Sequence, residues 1–156
     1  RTQGIKPTHP NPKIELRYNW NAAFAQNPFE PCGLYFGSQF VHKSTDCGKT
    51  WEIISPDLTT NDPIKQMQDS TGGLTIDNTA AENHTTILAI APSPLDKNVI
   101  WVGTDDGNLQ LTRDGGKTWT NLSGSLPGVK AGSWIPYIEV STKNAGEVFV
   151  IVNEQI

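Results

Sequence analysis

Only three arginines occur in this chain of 156 residues, Arg1, Arg17 and Arg113, beside two cysteines, one methionine and three histidines. Three arginines, one of them inside a repeated turn motif, leave no cluster for a bidentate grip on a substrate carboxylate. A formal net charge of −4 and a pI near 5.3 argue against nucleic acid or an anionic membrane surface, both of which favour basic patches. The longest apolar stretches are strand-sized, so no membrane-spanning helix is expected. His9, His42 and His84 form no zinc spacing with one another or with Cys32 and Cys47, and no metal or other cofactor is expected. His42 falls in a strand and reads as a surface or half-buried residue. There is no G-x-S-x-G elbow to support a serine hydrolase. No stretch keeps a 3.6-residue apolar period, which excludes a long helix.

What the chain does have is an internal repeat. Ser44-Thr45-Asp46-Cys47-Gly48-Lys49-Thr50-Trp51 and Thr112-Arg113-Asp114-Gly115-Gly116-Lys117-Thr118-Trp119 both read [Ser/Thr]-x-Asp-x-Gly-Lys-Thr-Trp, 68 residues apart. At an offset of 66, Leu34-Tyr35-Phe36-Gly37 also lies over Ile100-Trp101-Val102-Gly103. Each copy holds short β-branched and aromatic runs bounded by Gly, Pro, Asn and Asp, the pattern of strands and hairpins. Strands are expected near 21–25, 34–37, 40–44 and 51–55, then near 86–91, 99–103, 108–112 and 119–122. Two more, near 135–140 and 147–152, begin a third copy. Four antiparallel strands per repeat is a propeller blade, and a fixed long period is the signature of a repeat architecture.

The expected fold is therefore all-β, a partial β-propeller of about two and a half four-stranded blades. Residues 1–19 form an irregular segment or crossing loop, 20–55 the first blade, 56–85 a long crossing, 86–122 the second blade and 123–156 the start of a third. A closed propeller has about four to eight blades. The chain thus reads as a piece of a larger ring whose partners are further blades or another protein chain.

The repeated motif resembles the Asp-box, or bacterial neuraminidase repeat, of sialidases, some glucanase propellers and sortilin-type propellers. The segment 92–122 is similar to secreted bacterial sortilin-like and glycosyl-hydrolase-like propeller proteins. The resemblance implies that each box is the turn between the third and fourth strands of a blade. Ser44, Asp46, Gly48 and Trp51, and Thr112, Asp114, Gly116 and Trp119, would then be structural. The Asp carboxylates would accept backbone N–H groups, the glycines would take angles that a side chain disfavours, and the tryptophans would pack between sheets. It also implies a ligand face opposite the boxes, which removes Asp46 and Asp114 from catalysis. A secreted, periplasmic or cell-surface location goes with the same resemblance.

Gly48-Lys49-Thr50 and Gly116-Lys117-Thr118 mimic the end of a phosphate-binding loop. Lys43 and Leu111 stand where that loop needs glycine, and the setting is a hairpin, so nucleotide binding is rejected. The hairpin register sets Cys32 opposite Thr45, two positions from Cys47; this permits a Cys32–Cys47 disulfide without requiring one. Asn83-His84-Thr85 and Asn121-Leu122-Ser123 are glycosylation sequons only in a eukaryotic secretory route.

A glycosidase needs two carboxylates across a groove. The acids available on the face opposite the boxes are Asp105 and Asp106 in a short turn, and Asp57, Asp62, Asp69, Asp77 and Glu82 in the long crossing. Asp105, Asp106 and Glu82 are the catalytic candidates, although Asp-Gly is an ordinary hairpin turn and solvated carboxylates are common. Tyr35, Phe36, Trp101, Trp134 and Tyr137 could line a groove or fill the space between blades. Two functions follow: a rigid scaffold binding polypeptide or glycan, and part of a two-carboxylate glycoside hydrolase.

Overall fold

The computed structural model describes residues 3–67 and 84–154. Asp69, Asp77, Glu82 and Asn83 lie outside the described residues. The chain is an all-β partial propeller of three antiparallel sheets. The first comprises β1 (Phe24–Gln26), β2 (Leu34–Gly37), β3 (Val41–Ser44) and β4 (Glu52–Ile53). The second comprises β5 (Ile87–Pro92), β6 (Ile100–Thr104), β7 (Leu109–Thr112) and β8 (Thr120–Asn121). Each runs in sequence order across its sheet. The third sheet is β9 (Trp134–Val140) paired with β10 (Val148–Asn153). Among the described residues the only helical element is a 3-10 turn at Ser123–Ser125.

The apolar residues fill the spaces between sheets. Tyr35, Val41, Ile87, Ile100 and Val102 form one buried cluster, between the first and second sheets. Trp101, Leu109, Leu111, Ile135 and Ile138 form the next, between the second and third. The period-2 alternation of β6 explains the division: Ile100 and Val102 point one way, Trp101 the other, and all three are buried. A strand covered on both faces loses the polar half of its pattern. The sheets also meet closely where a side chain is missing. A Cβ added at Gly37 would lie 2.9 Å from Ile87 Cγ2, and one at Gly103 would lie 2.5 Å from Ile135 Cγ2. Gly37 is the last residue of β2 and Gly103 the last but one of β6, and each admits an isoleucine from the first two residues of the innermost strand of the next sheet.

Two details differ from the sequence reading. In the first hairpin Gly37 faces Val41, because Ser38-Gln39-Phe40 makes a three-residue turn closed by Ser38 N–H to Phe40 O at 3.0 Å. The register is shifted by one residue, and Cys32 comes beside Asp46 rather than Thr45. His42 is fully buried, not at the surface, because both faces of β3 are covered; its Nε2 shares a 2.7 Å hydrogen bond with Ser38 Oγ. Burial, with His9 nearby as a lesser cause, lowers its pKa to about 4.

Candidate functional site

In an antiparallel sheet the turns alternate between two ends. The β3–β4 and β7–β8 turns therefore lie at one end, and the β2–β3 and β6–β7 turns at the other. At the first end the two Asp motifs have matching hydrogen bonds. Asp46 Oδ1 accepts the Thr50 N–H at 2.8 Å and its Oδ2 the Thr50 hydroxyl at 2.6 Å. Asp114 makes the same pair with Thr118 at 2.9 and 2.6 Å. Ser44 and Thr112 hydroxyls donate to the two carboxylates and accept the Gly48 and Gly116 N–H groups. The Thr50 and Thr118 bonds lead in holding both carboxyls at about 2. Gly48 and Gly116 have φ of +84° and +100°. Cys32 and Cys47 are disulfide-bonded, with Cα atoms 4.5 Å apart.

At the opposite end Asp57, Asp105 and Asp106 are each tied to a threonine, whereas Asp62 Oδ1 accepts the Ile64 N–H at 2.9 Å. Asp57 Oδ2 receives the Arg17 guanidinium at 2.8 Å, while its Oδ1 accepts the Thr59 N–H and hydroxyl at 2.9 and 2.6 Å. The Arg17 Nε also donates to Thr85 O at 3.2 Å, and its backbone N–H to Gln39 Oε1 at 2.9 Å. Asp106 Oδ2 accepts the N–H and hydroxyl of Thr60, both at 2.7 Å, and its Oδ1 accepts the Thr104 hydroxyl at 2.5 Å. Asp105 accepts the Thr86 N–H at 2.9 Å and hydroxyl at 2.8 Å. The Asp106–Thr60 and Asp105–Thr86 pairs fasten the crossing 56–60 and the entry to β5 onto the β6–β7 turn.

Asp105 and Asp106 are adjacent in sequence but differ in surroundings. Asp105 is wholly buried, and burial pushes its carboxyl up; the nearby His84 and the Thr86 bonds pull the other way. His84 Nδ1 lies 3.9 Å from Asp105 Oδ1, beyond hydrogen-bond reach, and has no hydrogen-bond partner among the described residues.

His84 faces a pocket of about 310 Å³ walled by Lys65, His84, Lys130, Trp134, Glu154 and the backbone of 131–133. The rings of His84 and Trp134 meet edge-on with centroids 6.2 Å apart. Ser133 donates its hydroxyl to Lys130 O at 2.7 Å, and the Lys130 N–H reaches Glu154 Oε1 at 3.3 Å, which shapes one wall. Neither lysine ammonium is in an ion pair among the described residues. No three His, Cys, Asp or Glu side chains there come together as metal ligands, and no helix there is long and apolar enough to cross a membrane.

Of the aromatic candidates, Trp134 lines this pocket. Tyr35 and Trp101 are buried between sheets. Phe36 packs edge-on against Tyr18 and Trp51. Tyr137 is exposed and its hydroxyl donates to Glu139. Lys65, Lys130 and Glu154 carry no signal in the sequence, and His84 enters it only as a histidine without zinc spacing and as part of a sequon. They come from the crossings and from the end of β10, which carry no repeat signature.

No family model and no curated protein matches the chain. Solved structures do. An ancestral GH74 enzyme superposes with a TM-score of 0.55 at 19% identity, over 86% of this chain and 14% of that one. The GH74 xyloglucanase of Xanthomonas campestris gives 0.53 at 21%, over 85% and 20%. The GH74 enzyme of Niastella koreensis gives 0.51 at 18%, over 87% and 21%. This chain spans about a fifth or less of the length of each. The shared feature is the β-propeller fold.

Proposed function

We propose that this chain is a segment of a secreted Asp-box β-propeller that serves as a rigid binding scaffold for glycan or polypeptide. One observation carries the reading. The described carboxylates of the turn face that sequence reasoning offered for catalysis, Asp105 and Asp106, are consumed by threonine donors inside the fold, while the pocket beside them is open and edged by Trp134, His84 and two lysines. A glycosidase pair has to face its substrate across a groove. Asp105, buried and bonded to Thr86, does not. The matching hydrogen bonds of the two Asp turns support the Asp-box assignment, and the Cys32–Cys47 disulfide suits an oxidising compartment.

The second reading, part of a glycoside hydrolase, draws on Asp105. A carboxyl pushed up by burial has the property of a general acid, and Glu82 remains a candidate partner outside the described residues. The two readings separate on a panel of polysaccharides offered to the full-length protein, with Asp105→Asn and Glu82→Gln alongside. The scaffold reading expects retention on one or more glycans or peptides, weakened by Trp134→Ala, and no new reducing ends. Hydrolysis that disappears in either acid variant, with the thermal melt unchanged, would reverse the assignment.

A further inference from the structure

We infer that the pocket between the two crossings takes an acidic sugar, a uronic-acid unit of a glycan, with its carboxylate against Lys65 and Lys130 and its ring along Trp134. The inference rests on the scaffold reading and names the ligand class of the same site.

Four observations meet there. First, the size is right for one ring: about 310 Å³ lies at the low end of small-ligand pockets. Second, the charge is local and positive in a chain of net charge −4. Lys65 and Lys130 are not in ion pairs among the described residues, and lysine offers a compact point charge where a bidentate arginine grip is absent. Third, the ring of His84 lines the pocket. Its Nδ1 is buried beside Asp105, and the exposed remainder of the imidazole meets a sugar hydroxyl, which both donates and accepts and so suits either tautomer. Fourth, Glu154 stands on the rim as an acceptor for hydroxyls, a partner a simple inorganic anion would not want.

The walls favour a glycan over a polypeptide. They are built from crossings and from the tips of β9 and β10, at Trp134 and Glu154, and not along the length of a strand where a peptide could add as a further strand. An aromatic ring in a ring-sized hollow gives a pyranose an apolar face to cover, while its carboxylate and hydroxyls meet the polar groups around it.

The test is calorimetric titration of the full-length protein at low ionic strength with a trimer of galacturonic acid, with the same trimer fully methyl-esterified, and with an acidic peptide of equal charge. The acid trimer should bind roughly tenfold tighter than the ester, the size of effect two partly exposed ion pairs give. Lys65→Gln/Lys130→Gln should erase the difference without moving the thermal melt. Trp134→Ala should weaken acid and ester alike. Equal affinity for acid and ester would overturn the acidic-sugar assignment while leaving a glycan scaffold standing. Binding of the acidic peptide alone would overturn it in favour of a polypeptide ligand, and binding of none of the three would overturn it outright. Lysine-dependent cleavage of the acid trimer would support the sugar assignment and remove the non-catalytic reading instead.

Discussion

The indole N–H of Trp51 donates to the carbonyl oxygen of Ile5 at 2.8 Å. One repeat later the indole N–H of Trp119 donates to the carbonyl oxygen of Ile54 at 3.1 Å. Ile54 leaves β4, the outer strand of the first blade, and its neighbour in the second blade is the Asp114 turn. Ile5 therefore holds, against the first blade, the place that Ile54 holds against the second. The two isoleucines even share a local sequence, Ile5-Lys6-Pro7 and Ile54-Ser55-Pro56. Residues near Ile5 cover a blade face, with Trp51 and Phe36 beneath.

The same equivalence predicts unequal costs for the same substitution. A methyl at Gly116 would lie 2.5 Å from the carbonyl oxygen of Ile54, whereas at Gly48 it would meet the Ile5 side chain at 3.1 Å. Both positions have left-handed φ, so each alanine bears about 1–2 kcal/mol of backbone strain. Gly116→Ala adds a clash with a backbone atom that cannot turn aside. Denaturant melts should show Gly116→Ala losing at least about 1 kcal/mol more than Gly48→Ala. Equal losses would mean that the two seams are not built alike.

Cys47 and Gly115 occupy the same position in the two turns, and both have positive φ, 60° and 72°. A cysteine there is strained where glycine is not. The disulfide closes a 15-residue separation, for which removal of chain entropy contributes about 3 kcal/mol. Reduction should therefore lower stability by an amount of that order. Among reduced forms, Cys32→Ser/Cys47→Gly should be more stable than Cys32→Ser/Cys47→Ser by roughly 1 kcal/mol. Thermal unfolding of the three proteins checks the order, and a serine form as stable as the glycine form would count against strain at Cys47.

His42 gives the chain a pH dependence of known sign. Its folded pKa is lowered to about 4 from 6.5. Above 6.5 the imidazole is neutral in both states and costs nothing. As pH falls from 6.5 towards 4 the unfolded chain binds a proton that the folded one refuses, and stability drops. The full loss from this group is roughly 3 kcal/mol. NMR titration of the His42 ring in the folded protein should show a midpoint well below 5.5. A midpoint near 6.5 would contradict its burial on Ser38.

Arg17 ties three parts of the turn face together, reaching Gln39, Thr85 and Asp57. Arg17→Ala should destabilise by roughly 1.5–3 kcal/mol, the range for hydrogen bonds to charged groups. Arg17→Lys should recover only part of it, because an ammonium cannot span Thr85 O and Asp57 together as the guanidinium fork does. Hydrogen exchange at the Thr59 and Thr60 amides should quicken in both variants. Unchanged exchange would show that the Asp–Thr pairs hold the crossing without help.

The blades were legible because their signals are local. The two Asp-to-Trp runs, the glycines near the ends of β2 and β6, and the strand-length apolar runs each fit in a short window. The three-residue turn at Ser38-Gln39-Phe40 was harder, since Ser-Gln carries no turn signature and the register slipped by one. His42 was misjudged because alternation assumes one wet face, and β3 has none. The pocket was least visible. Trp134 stood out as an aromatic, but Lys65, His84, Lys130 and Glu154 are spread over 90 residues, and they are brought together only by how one blade hands over to the next.

The glycine-to-isoleucine contacts, Gly37 with Ile87 and Gly103 with Ile135, set the natural unit for engineering this chain. A sheet cut out along its own strands carries away half of two joints and completes neither. A module that begins inside one sheet and ends inside the following one keeps a joint whole. Shuffling such seam-centred modules between proteins of this kind should preserve packing that swapping whole sheets would break.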